Sequence, residues 1–258
     1  MALGIAVITA SLLASPAGAA SGGPPPWVPE ADATWQYQLQ GTIDTSVDAD
    51  VYDIDLFDAP KSKIDRLHAD GRHVVCYLSA GSWETWRPDA DDFPASVLGK
   101  KLDGWPGERW LDIRQLDVLA PIMEARLDLC AAKDFDAAEF DNVEGYRNRS
   151  GFPLTGAHQL AYNTWLADAA HERGLSVGLK NDLGQIEELE PLFDFAVNEQ
   201  CFQYRECDRL QPFLDAGKNV IIVEYTSRLG QFCADAEELG AVAMRKKLSL
   251  KVWRQPCP

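Results

Sequence analysis

Residues 174–200 read GLSVGLKNDLGQIEELEPLFDFAVNEQ. An apolar run, Leu175–Lys180, breaks into polar residues. A helical stretch, Gln185–Leu192, follows, and a second apolar run, Phe193–Asn198, ends in polar residues again. Two short strands apolar on both faces and joined through a helix pair in parallel, because only a long crossover returns the chain in the same direction. The pattern recurs on both sides. Further strands are expected at Trp35–Leu39, Val51–Phe57, His73–Ser79 and Phe135–Phe140 upstream, and at Asn219–Tyr225 and Leu250–Trp253 downstream. Helical stretches lie at Lys61–Asp70, Gln115–Lys133, Gly156–Arg173, Tyr204–Ala216 and Ala234–Lys247. Eight strands alternating with helices in a chain of 258 residues predict an α/β fold, a closed (β/α)8 TIM barrel over residues 34–258. A doubly wound open sheet is the alternative, but no Gly-x-Gly-x-x-Gly follows any strand. Two stretches break the rhythm. Residues 41–50 show no helix, and residues 81–114, aromatic and Pro-rich, are expected to loop over the barrel mouth.

The segment before the barrel differs in kind. Residues 1–29 carry no charged side chain, Leu3–Leu13 is apolar, and Ala17-Gly18-Ala19-Ala20 offers small residues for cleavage. This predicts a signal peptide over residues 1–20, then a Gly- and Pro-rich linker over 21–33, and a secreted protein. The apolar run is shorter than the roughly 18 residues a membrane span needs. Six cysteines fit an exported chain. The pairing expected is Cys201–Cys207 as a local staple, Cys233–Cys257 near the C-terminus, and Cys76–Cys130 by remainder. No CxxC and no Cys/His cluster is present, so neither a metal site nor a cofactor is expected.

The formal net charge is −16, and between Glu30 and Asp58 there are eight acids and no Lys or Arg. Such a field repels nucleic acid and anionic membranes and attracts a polycation. The chain is expected to act as a monomer on such a partner.

Barrel enzymes place their chemistry at the C-terminal ends of the strands. Here those ends read Tyr77-Leu78-Ser79, Glu139-Phe140-Asp141-Asn142, Lys180-Asn181-Asp182, Asn198-Glu199-Gln200 and Glu224-Tyr225-Thr226. Carboxylates dominate, none of the four histidines joins them, and no Gly-x-Ser-x-Gly is present. Paired carboxylates without histidine or metal suit glycosidic cleavage: one acid protonates the leaving oxygen, and one ionised partner attacks or activates water. Asp141, Glu199 and Glu224 are the candidates. Side-chain alternation puts Glu139 one layer below Asp141, with Lys180 as its expected partner. The same alternation turns Asp53 and Asp55 inward, where two acids suit ammonium groups.

The runs Trp35-Gln36-Tyr37-Gln38-Leu39-Gln40-Gly41, Asp53-Ile54-Asp55, Cys76-Tyr77-Leu78-Ser79-Ala80-Gly81, Glu139-Phe140-Asp141-Asn142-Val143, Gly178-Leu179-Lys180-Asn181-Asp182 and Asn198-Glu199-Gln200-Cys201 resemble glycoside hydrolase family 114, the endo-α-1,4-polygalactosaminidases. The resemblance implies a (β/α)8 barrel that cleaves a cationic amino-sugar polysaccharide, α-1,4-linked galactosamine, with Asp141 and Glu199 as the catalytic pair. Asp53, Asp55, Tyr77, Asn181, Glu224 and Tyr225 are then expected to bind the sugar. A glycosidase of neutral α-galactosides and a non-catalytic polysaccharide-binding barrel are the rival readings.

Overall fold

The computed structural model describes residues 25–258; the expected signal peptide and the first residues of the expected linker lie outside them. Eight strands run parallel: β1 (Trp35–Gln38), β2 (Val51–Asp55), β3 (His73–Ser79), β4 (Ala137–Asp141), β5 (Ser176–Lys180), β6 (Phe195–Glu199), β7 (Val220–Glu224) and β8 (Val242–Arg245). Each pairs with the next in sequence. Outside them lie α1 (Lys61–Ala69), α2 (Leu116–Ala132), α3 (Gly156–His171), α4 (Ile186–Leu189), α5 (Cys201–Tyr204), α6 (Gln211–Asp215) and α7 (Cys233–Leu239).

Alternation divides the apolar side chains into two clusters. Ile54, Cys76, Phe140, Leu179 and Ile222 face the helices. Trp35, Tyr37, Val75, Val197, Val223 and Met244 meet in the barrel interior. Contact among residues from β1 to β8 is what a closed barrel requires. β5 adds no apolar side chain inside, because Gly178 leaves its place to Phe195: a Cβ there would fall 2.2 Å from the Phe195 ring.

The eighth strand is not where the sequence pointed. It lies at Val242–Arg245, and the helix expected over Ala234–Lys247 stops at Leu239, where Gly240 takes a left-handed φ of 82°. Leu250–Trp253 closes the ring instead of forming a strand. The Leu250 carbonyl accepts from the Leu39 and Gln40 N–H groups at 3.0 and 3.2 Å, and the Gln36 amide donates to the Val252 carbonyl at 2.8 Å. No ladder joins β8 to β1 among the described residues. The 81–114 excursion is also more ordered than loops: Ser82–Glu84, Glu108–Leu111 and Leu98–Lys101 form an antiparallel sheet in that order.

The described part of the expected linker is docked on the barrel. Trp27 stacks on His73 at 4.0 Å, and the Asn219 amide donates to the Glu30 and Ala31 carbonyls at 2.9 Å. All three expected disulfides are present, with Cys76–Cys130 tying β3 to α2. No helix among the described residues is long and apolar enough to cross a membrane.

Candidate active site

Inward alternation at the C-terminal ends of β4, β5 and β6 brings Glu139, Asp141, Lys180 and Glu199 together. The Lys180 ammonium is the centre. It lies 3.0 Å from Asp141 Oδ1, 3.3 Å from Glu199 Oε2 and 4.0 Å from Glu139 Oε1. The sequence offered Lys180 first as the partner of Glu139 and, as the alternative, as a cation that keeps a carboxylate ionised; the structure gives it closer contacts to the two expected catalytic carboxylates. The Asp141 and Glu199 side chains are 20% and 22% exposed, against 3% for Lys180, so only the carboxylates reach solvent.

Each carboxylate has a tyrosine of its own. The Tyr77 hydroxyl donates to Asp141 Oδ2 at 2.7 Å, and the Asn142 N–H donates to Oδ1 at 2.8 Å. Tyr225 donates to Glu199 Oε1. Asn181 fixes β6 by accepting from the Glu199 N–H at 2.9 Å. Burial pushes the Asp141 carboxyl up, but Lys180 and the Tyr77 and Asn142 donors outweigh it and hold the group below its ordinary range. Burial likewise works against the Lys180 charge, and Asp141, Glu199 and Glu139 together overcome it.

Beneath this layer Glu139 and Asp53 are both fully buried, and Glu139 accepts from the Tyr37 hydroxyl at 3.3 Å. Burial, with the neighbouring acid, raises Asp53 well above its ordinary value, and burial raises Glu139 to about 7. Neither Asp53 oxygen finds a donor among the described residues if both acids are ionised. A proton shared between the two acids satisfies it.

The cleft above has a volume of about 1010 Å³ and takes in Tyr37, Tyr77, Asp141, Lys180, Asn181 and Glu199. That is at the upper end of the range for sites of drug-sized ligands, which leaves room for more than one sugar ring. Among the described residues no group of His, Cys, Asp and Glu is arranged to hold a metal ion.

The profile of the Glycoside-hydrolase family GH114 matches residues 16–258. The chain belongs to glycoside hydrolase family 114. Aspergillus fumigatus Ega3, solved in complex with galactosamine, is 40% identical, with a TM-score of 0.86 over 92% of this chain and all of that one. The glycoside hydrolase domain of PelA from Pseudomonas aeruginosa is 12% identical, with a TM-score of 0.67 over 88% of this chain and 98% of that one, and shares the fold. No curated protein sequence matches the chain.

Within this family 114 barrel the expected sugar-binding residues separate. Tyr77 and Asn181 line the cleft, and Tyr225 touches Glu199. Asp55 lines the cleft, but its carboxylate is committed to Arg87, at 2.6 and 2.9 Å. Two expectations need correction. Asp53 is buried one layer below the cleft, and Glu224 points outward, where it accepts from the Phe202 and Gln203 N–H groups at 2.9 and 3.3 Å. The signal for Glu224 was in the sequence: Ile221, Val223 and Tyr225 face inward, so the residue between them cannot. Sequence reasoning missed Glu144 altogether. It lines the cleft three residues past Asp141, with no side-chain donor.

Proposed function

We propose that this hydrolase is a secreted endo-α-1,4-polygalactosaminidase that works by two carboxylates, Asp141 and Glu199. The observation that carries the reading is the single Lys180 ammonium shared between them. The oxygens it contacts stand no more than about 6.3 Å apart, the sum of its two contacts. That nearest-oxygen limit admits the short carboxylate spacing of retaining enzymes, about 5–5.5 Å, on which the roles below are built. Asp141, with three donors, is the nucleophile that attacks the anomeric carbon. Glu199, with fewer donors, protonates the departing glycosidic oxygen and then takes a proton from the water that releases the product.

The substrate assignment is supported by the likeness to a protein solved with galactosamine and by the acidic field of the chain. The roomy cleft supports endo action, and the three disulfides support export. The test is reducing-end release from α-1,4-polygalactosamine by wild type and by Asp141→Asn and Glu199→Gln. Oligosaccharides from wild type and a loss of at least about 10³-fold in both variants are expected. Activity retained in both variants would remove the pair from the chemistry. Release only from neutral α-galactans would reassign the substrate.

A further inference from the structure

The cleft has a second wall of opposite charge. Lys100 and Lys101 end one strand of the 82–111 sheet, and Arg147 and Arg149 sit on the loop after β4. All four line the cleft and are exposed, and none pairs with a carboxylate among the described residues. Asp103, on the loop after Lys101, is the exposed acid beside them; Glu84 and Glu108 on the sheet also line the cleft but are buried. This is unusual in a chain with 40 acidic and 24 basic residues. The two segments are fastened backbone to backbone. The Lys100 N–H donates to the Ser150 carbonyl at 2.7 Å, and Gly99 permits the approach, since a Cβ there would fall 2.2 Å from the same oxygen. On the loops that join the strands of this sheet Trp86 and Trp105 are 53% and 43% exposed, and both line the cleft. Exposed indoles beside a catalytic cleft mark a binding surface.

An ammonium-bearing ring on this wall would meet like charges in a partly enclosed cleft, an arrangement that costs specificity against it. An N-acetylated ring carries no charge. Its amide oxygen accepts from Lys or Arg, and its methyl and ring faces can lie on indole. At the catalytic floor the balance is reversed, with Glu144, Asp141 and Glu199 facing the cleft.

We infer that the Lys100–Lys101–Arg147–Arg149 wall with Trp86 and Trp105 is a subsite for uncharged, N-acetylated hexosamine residues, so that the enzyme reads the acetylation pattern of its polymer. The inference rests on the amino-sugar reading above. It assigns free-amine rings to the floor and N-acetyl rings to the wall.

Two measurements test it. The first compares kcat/KM of wild type and K100Q/K101Q/R147Q/R149Q on fully deacetylated and on half N-acetylated polymer, with product ends sequenced by mass spectrometry. Wild type should favour the half-acetylated polymer by about tenfold. Its products should carry N-acetyl groups at a fixed distance from the cut, and the quadruple variant should lose both features. The second measures binding to the Asp141→Asn protein of α-1,4-hexosamine tetrasaccharides with and without one N-acetyl group, by indole fluorescence. Tighter binding and quenching with the acetylated one, lost in W86A/W105A, is expected. Equal or tighter binding of the deacetylated chain, or a random acetyl pattern around the cut, would overturn the inference. If the acetylated ligand is preferred in binding while no amino-sugar polymer is cleaved, the wall stands and the hydrolytic reading falls.

Discussion

The Lys180 ammonium sits 3.0 Å from the Asp141 carboxylate, and the same nitrogen reaches Glu199 at 3.3 Å. A single buried cation thus contacts both carboxylates at the cleft floor and holds the Asp141 carboxyl below its ordinary range. Removing it leaves two partly buried carboxylates side by side without their cation, which costs less than the roughly 3–5 kcal/mol of a fully buried unpaired charge.

Lys180→Met should therefore lower both kcat and stability. Asp141 loses the cation that holds its carboxyl below the ordinary range, so its acid limb moves to higher pH. A loss of about 10²-fold in kcat at neutral pH is expected, with partial recovery as the pH rises. A pH–rate profile beside a melting curve checks both; an unshifted acid limb would show that Lys180 acts only on folding.

The Asp53–Glu139 pair makes a different prediction. Burial holds Glu139 protonated up to about 7 in the folded state, above its value in the unfolded chain. The folded protein then binds more protons than the unfolded one between roughly pH 4.5 and 7, so this group's contribution to stability falls as the pH rises through that window. Glu139→Gln keeps a donor for Asp53 and does not titrate. The melting temperature of wild type minus that of the variant should decline from pH 4.5 to pH 7.5; a flat difference would mean that Glu139 does not carry its own proton into this window.

Salt should weaken the enzyme. A net charge of −16 draws a polycation from a distance, and raising ionic strength from about 0.01 to about 0.15 M shortens the screening length from about 30 to about 8 Å. A severalfold fall in kcat/KM is expected on deacetylated polymer, carried mainly by KM. A neutral oligosaccharide substrate would show no such fall.

The Cys76–Cys130 bridge closes a sequence separation of 54 residues between β3 and α2. Cys76→Ala/Cys130→Ala should cost about 2–4 kcal/mol by chemical denaturation while leaving kcat unchanged, because neither residue approaches the cleft. A change in kcat without a change in stability would contradict this placement.

The sequence by itself determined the barrel, seven of its strands and the placement of Asp141, Lys180 and Glu199 at one end of it. Parallel strands buried on both faces read as apolar runs, and at Asp141, Lys180 and Glu199 those runs end in charged residues that alternation turns inward. The pairing of six cysteines was legible for the same local reason, short separations leaving one remainder. The eighth strand was not, because Val242–Arg245 is four residues long and its approach resembles a continuing Ala-rich helix until Gly240 is seen in its left-handed turn. Depth also escaped the sequence. Asp53 and Asp55 share a face, yet two residues of strand rise, about 6.6 Å, separate a buried acid from one at the mouth. Only the tertiary structure decided who partners whom. Lys180 meets Asp141 and Glu199 because neighbouring strands fix three side-chain ends within hydrogen-bonding distance of one point. Arg87 takes Asp55, and the 82–111 sheet meets the loop after β4, for the same reason: side-chain pairing depends on distance in space, which a periodicity along the chain does not encode.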